Sequence, residues 1–151
     1  MTAAGPADPA FDPSRYQDPE TIAEILRTAQ TIAVVGLSAK PNRPSHGVAA
    51  YLQRQGYRII PVNPTEQEVL GERSYPSLRD VPVPVDIVDV FRRAEAVPEV
   101  ARDAVAIGAK VLWLQLGIIS PEAAAIAEAG GLTVIMDRCL AVDHQRWLRR
   151  R

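Results

Sequence analysis

The chain has 151 residues, a formal net charge of −1, 47% hydrophobic residues and 23% charged residues. That length suits one domain with a sizeable core. The near-neutral charge excludes the bulk basic field of a nucleic-acid or anionic-membrane binder. The single cysteine, Cys139, excludes an intramolecular disulfide framework and a cysteine-rich metal site. No apolar run reaches membrane-spanning length, and the N-terminus lacks the basic and apolar regions of a signal peptide, so the expected location is the cytoplasm.

Residues 1–16 are rich in Ala, Pro and Asp without periodicity and read as a flexible arm ahead of a single domain, 17–151. Asp18-Pro19-Glu20 starts a helix with a capping Asp, Pro at the first helical position and an acid in the first turn; Ile22, Ile25, Leu26 and Ala29 form its apolar face. Five apolar runs of strand length follow: Ile32–Val35, Arg58–Val62, Asp86–Val90, Val111–Leu116 and Thr133–Met136. They are continuous rather than alternating, as strands buried on both faces of a parallel sheet should be. Helical patterns over Ser45–Gln55 and Glu95–Ile107 stop near Gly56 and Gly108, and a third helix runs from Ser120-Pro121-Glu122 to Gly130-Gly131. This alternation predicts an α/β fold, a doubly wound Rossmann-like parallel sheet of five or six strands with helices on both faces. If Arg73-Ser74-Tyr75 adds a short edge strand, the sheet order is 3-2-1-4-5-6, and ligands bind at the carboxyl ends beside the switch point.

The stretch Ala33 to Ser45 joins strand, loop and helix N-terminus, where free backbone N–H groups and the dipole suit phosphate. Gly36 ends the strand and lets a phosphate or ribose approach the backbone, or serves the turn alone. Lys40 and Arg43 flank Pro41 and Pro44, which restrict the loop; both cations suit phosphate, Arg by paired hydrogen bonds and Lys as a mobile charge. Ser45 is placed to cap the helix. The dinucleotide fingerprint wants glycines where Ser38 and Pro41 stand, and an acid after the second strand where Asn63 stands. A neutral residue there tolerates a phosphorylated ribose, so the spelling counts against NAD. Asp86 and Asp89 fall on opposite strand faces, with Asp86 at the strand entrance. Trp113 and Trp147 read as core and docking residues, and Arg146, Arg149, Arg150 and Arg151 as a solvated basic tail.

The ordered set Val34-Val35-Gly36-Leu37-Ser38, Lys40 to Ser45, Gly56-Tyr57, Pro61 to Pro64, Val85 to Arg92, Leu112 to Gly117 and Met136 to Cys139 resembles the small CoA-binding-domain family. That family shares its nucleotide-binding fold with the CoA-binding domain of succinyl-CoA synthetase α-subunits, and the resemblance runs from about Thr21 to Asp143. It implies coenzyme A as cofactor. The Gly36–Ser45 loop, including Ser38, would hold the pyrophosphate; Val62, Asn63 and Pro64 would border the adenosine. Phe91 and Arg92 would face the ligand across the switch point, with Gln115 and Gly117 on the far wall. The family often carries Pro after the cysteine, where this chain has Leu140. Cys139 is either a small apolar filler or a thiol within reach of the pantetheine arm.

The larger synthetases use a phosphorylated histidine, whereas His46 and His144 here read as surface or cap residues. No Walker A sequence, nucleophile elbow or paired metal-ligand motif is present. The expected function is binding of CoA or an acyl-CoA by a stand-alone carrier, sensor or regulatory module, with a small molecule rather than nucleic acid or membrane as partner. The alternatives are an NAD(P)-binding oxidoreductase or redox sensor, and a subunit supplying a CoA site to a partner enzyme.

Overall fold

Strands and helices alternate along residues 11–148, which the computed structural model describes. The order is α1 (Pro19–Thr28), β1 (Thr31–Val35), α2 (Pro44–Arg54), β2 (Arg58–Val62), β3 (Glu68–Val69), β4 (Glu72–Arg73), β5 (Ile87–Val90), α3 (Val97–Ala106), β6 (Val111–Leu114), α4 (Pro121–Ala129), β7 (Thr133–Met136) and α5 (Leu140–Trp147). The five long strands form one parallel sheet in the order β2-β1-β5-β6-β7. β1 is an inner strand next to the edge strand β2, with Val34 aligned to Pro61 on one side and to Asp89 on the other.

The continuous apolar runs serve two cores at once. Successive strand side chains point to opposite faces. Ala33, Val35, Val88, Val90, Leu112 and Leu114 pack beneath α3 and α4, while Ile32, Val34, Ile87, Val111 and Trp113 pack beneath α1, α2 and α5. Fully burying one such Val, Ile or Leu is worth about 1.5–3 kcal/mol. The α3–α4 contact is lined by Ala101, Ala104, Ala123 and Ala127, all fully buried. Gly130 belongs to it, since a Cβ there would stand 2.5 Å from Val105 Cγ2. The fold is thus a Rossmann-like α/β sheet with helices on both faces.

The sixth strand is reduced to one parallel bridge, Val62 to Tyr75. It is held by Tyr75 N donating to Pro61 O (3.0 Å) and Asn63 N donating to Tyr75 O (2.9 Å). Arg73 instead closes the β3–β4 hairpin, whose turn residues Leu70 and Gly71 both take positive φ.

Two helices start as their sequences demand. Asp18 accepts from Thr21 N and Ser120 from Ala123 N, with Pro next in each case. The helix after β1 starts differently. Pro44 takes its first position and Arg43 is the N-cap, with no side-chain cap hydrogen bond. Pro has a preset φ and no N–H to satisfy, so it displaces Ser45 into the helix. Ser45 is therefore not a cap. Its buried hydroxyl turns back and accepts from Ser38 N at 3.1 Å.

The helix α5 has no strong start signal in the sequence. Cys139 is its N-cap and Leu140 its first residue, the position that favours Pro. His144, expected at the surface, is 6% exposed on α5. Its Nδ1 meets Tyr51 OH at 2.8 Å, and its ring packs edge-on against Tyr51 and Tyr57. Tyr57 OH donates to Leu26 O, and burial pushes its pKa up to about 12. Tyr51 ties α5 to α2, and Tyr57, in the turn before β2, ties α1 to α5. Trp113 is buried and its indole donates to Arg138 O at 2.8 Å, whereas Trp147 is 38% exposed. Of the basic tail, Arg149, Arg150 and Arg151 lie outside the described residues, as do residues 1–10 of the arm. The arm's last residues dock: Tyr16 is buried, stacks on Phe11 and donates to Glu128.

Candidate functional site at the carboxyl ends of the strands

β1 and β5 are neighbours whose following chains diverge, β1 leading to α2 on one face and β5 to α3 on the other. Their carboxyl ends form the crevice that such sheets use for ligands. Gly36 sits in it with φ +90, and the space of its missing side chain is already filled. A Cβ there would lie 2.5 Å from Phe91 O and 3.3 Å from Arg92 Cδ. The glycine therefore lets the ends of β1 and β5 close on each other, with Phe91 N donating to Val35 O, while Gly36 N donates to Val62 O at the end of β2. Close approach is required here, but the approaching group is protein backbone.

The loop after Gly36 is held from within and from β2. Ser38 Oγ accepts from Lys40 N at 3.1 Å, and Arg43 N donates to Lys40 O. Asn63 acts as a staple between two loops. Its Nδ2 donates to Leu37 O at 3.0 Å, and its Oδ1 accepts from Thr65 N and Thr65 Oγ1 at 3.0 and 2.8 Å. Both ends of its amide are thus used inside the protein. The side chains of Lys40, Arg43, Arg92 and Arg93 are exposed around this rim.

A cleft of about 190 Å³ opens beside the loop, with Val35, Val62, Pro64, Leu78, Arg92 and Val100 in its lining. Three residues singled out from the sequence, Val62, Pro64 and Arg92, thus share one cleft. Leu78 and Val100 come from a 3-10 turn and from α3, and no local signal in the chain marks them as neighbours of β2.

The far wall is built at the ends of β6 and β7. Gln115 is buried and its Oε1 accepts from Leu140 N, tying the loop after β6 to the start of α5. Gly117 takes φ +87, and its N–H donates to Asp137 Oδ1 at 2.6 Å. Cys139 is half-buried and packs against the apolar layer beneath α5, as does Phe91. Arg138 binds the fully buried Asp143. That hydrogen bond raises the Arg138 pKa further, against the effect of its own partial burial. The expected strand Val111–Leu116 therefore ends at Leu114, and Leu116 is 69% exposed.

The two aspartates of β5 behave in opposite ways. Asp86 caps the amino end of the sheet, accepting from Gln30 N and Thr31 N and pairing with Lys110. Burial raises its pKa, but those partners outweigh it and hold the group below the ordinary carboxylate range. Asp89 is 0% exposed, and neither carboxyl oxygen has a hydrogen-bond partner. It lies between Val34 and Trp113 in the sheet, and burial pushes its pKa well above the ordinary range. Among the described residues no group of three or more His, Cys, Asp and Glu could hold a metal ion, and no helix is long and apolar enough to cross a membrane.

Comparison with known proteins agrees with this architecture. An uncharacterized protein of Bacillus subtilis, YneT, is 48% identical over 123 residues, covering 82% of this chain and 91% of its own. A hypothetical protein from Pyrococcus horikoshii superposes with a TM-score of 0.85 at 37% identity, over 98% of this chain and 99% of the other. An ADP-forming acetate–CoA ligase II of Archaeoglobus fulgidus is 32% identical over 83 residues, which span 54% of this chain and 12% of that much longer enzyme. The pattern described as CoA binding domain matches residues 30–145, from the start of β1 into α5 and so across every loop of the crevice. The chain belongs to the CoA-binding-domain family.

Proposed function

We propose that the carboxyl-end crevice binds coenzyme A or an acyl-CoA, and that the protein acts as a stand-alone carrier, sensor or regulatory module. One observation carries the reading: a cleft lined by Val35, Val62, Pro64 and Val100, with Glu99 and Asp103 also in its wall, opens at the carboxyl ends of the strands with exposed Arg92 in it, and the loop after β1 carries the exposed cations Lys40 and Arg43. CoA has complementary chemistry, a flat base on a ribose bearing phosphate and a pyrophosphate beyond it. In this reading Lys40, Arg43 and Arg92 meet the phosphates, and the loop from Gly36 through Ser38 to Ser45 carries the pyrophosphate. Val62, Asn63 and Pro64 border the adenosine. The pantetheine arm runs past Phe91 towards Gln115, Gly117 and Cys139. Family membership supports CoA over NAD. So does Asn63, which stands directly after β2 where an NAD site places an acid for the ribose hydroxyls, and whose amide is engaged by Leu37 O and Thr65.

A second reading, a CoA-site subunit for a partner enzyme, is favoured by the stretch shared with the acetate–CoA ligase. Thermal melting tests the ligand in either case. CoA at about one hundred times its Kd should stabilise the protein by roughly 2.7 kcal/mol while NAD and NADP do little. A larger shift with NAD than with CoA overturns the proposal.

A further inference from the structure

The turn after β2 places a carboxylate on the candidate phosphate loop. Asn63 builds that turn through its bonds to Thr65, its O accepts from Glu66 N at 3.3 Å, and its Nδ2 fastens the turn to Leu37 O. Glu66 is thereby presented to the loop, and its Oε2 accepts from Ala39 N at 3.2 Å. Glu66 is half-buried but Ala39 is exposed, so this contact lies at the solvent-facing surface of the loop. The neighbouring N–H groups are satisfied by neutral partners within the loop and its helix: Ser38 N by Ser45 Oγ, and Lys40 N by Ser38 Oγ. Of these three N–H groups, that of Ala39 alone is held by an anion.

A carboxylate oxygen on a loop N–H makes the same kind of charge-assisted bond that a phosphate oxygen makes. We propose that Glu66 is a tethered stand-in for a ligand phosphate, a brake that an anionic ligand must displace from Ala39 N to bind. The inference rests on the reading of this loop as a phosphate site and adds regulation to it. Two effects act in the same direction. The loop N–H is occupied before the ligand arrives, and the carboxylate repels an incoming phosphate. The attachment through Asn63 keeps the local concentration of the carboxylate high, so the brake needs no strong bond.

Glu66→Gln and Glu66→Ala test it by calorimetric titration with coenzyme A, beside thermal melting of the ligand-free proteins. Both variants should bind CoA roughly three- to tenfold more tightly than the wild type. Their ligand-free melting temperatures should be equal to the wild type's or slightly lower, because a native contact is lost. This opposite movement distinguishes a brake from a structural residue. Unchanged or weaker CoA binding by Glu66→Gln, with a wild type that binds, overturns the brake and leaves the CoA reading standing. No CoA binding by any of the three proteins overturns both.

Discussion

Asp89 offers the sharpest energetic test. It is 0% exposed, both its oxygens lack partners, and Val34 and Trp113 flank it in the sheet. Leaving such a group unsatisfied costs about 1–3 kcal/mol on protein mutational scales. Asp89→Val removes the polar group and adds a strand-favouring side chain, so it should stabilise the protein by about that amount. The sign of the pH effect follows from the raised pKa. Above the unfolded value near 3.8 the unfolded chain releases the proton while the folded protein keeps it. The contribution of Asp89 to stability is therefore greatest at low pH and falls as pH rises, until the folded pKa is passed. The slope within that window approaches 1.4 kcal/mol per pH unit, about one proton's worth. Asp89→Asn keeps the shape and polarity but has no proton to release, so the gap between it and the wild type should widen with pH. Urea unfolding of all three proteins at several pH values above about 5 measures both effects. Parallel pH profiles for wild type and Asp89→Asn, together with destabilisation by Asp89→Val, would refute the account and show a carboxylate with a partner.

Two further outcomes are expected. Lys40→Ala with Arg43→Ala should weaken CoA binding at least about tenfold and flatten its salt dependence, with an unchanged melting temperature, since both side chains are exposed; an unchanged calorimetric titration would make them ordinary surface charges. Gly36→Ala should destabilise by more than about 2 kcal/mol in urea unfolding, because φ is +90 and the new Cβ meets Phe91 O at 2.5 Å; a neutral effect would mean that the β1 and β5 ends can part.

The sequence alone determines the alternation of strands and helices, the caps at Asp18 and Ser120, the stops near Gly56, Gly108 and Gly130, and the basic loop after β1. These signals act between residues a few positions apart, so they survive in one dimension. The two-sided core is legible for the same reason, since unbroken apolar runs cannot form a sheet with a wet face. The ordered motifs from Gly36 to Cys139 also carried the family. What sequence could not decide is which groups the sheet order brings together. The Asn63 amide reaches Leu37 across 26 positions, Glu66 reaches Ala39 across 27, and Tyr51 reaches His144 across 93. Proximity at such separations follows from parallel crossovers and from helices laid on a common sheet face. That is why Gly36 proves to admit the Phe91 backbone, His144 is buried, and the sixth strand shrinks to a bridge at Tyr75. Asp89 shows the division most plainly: its place on a strand is written in the chain, but its lack of any partner is a property of the packed layer above it.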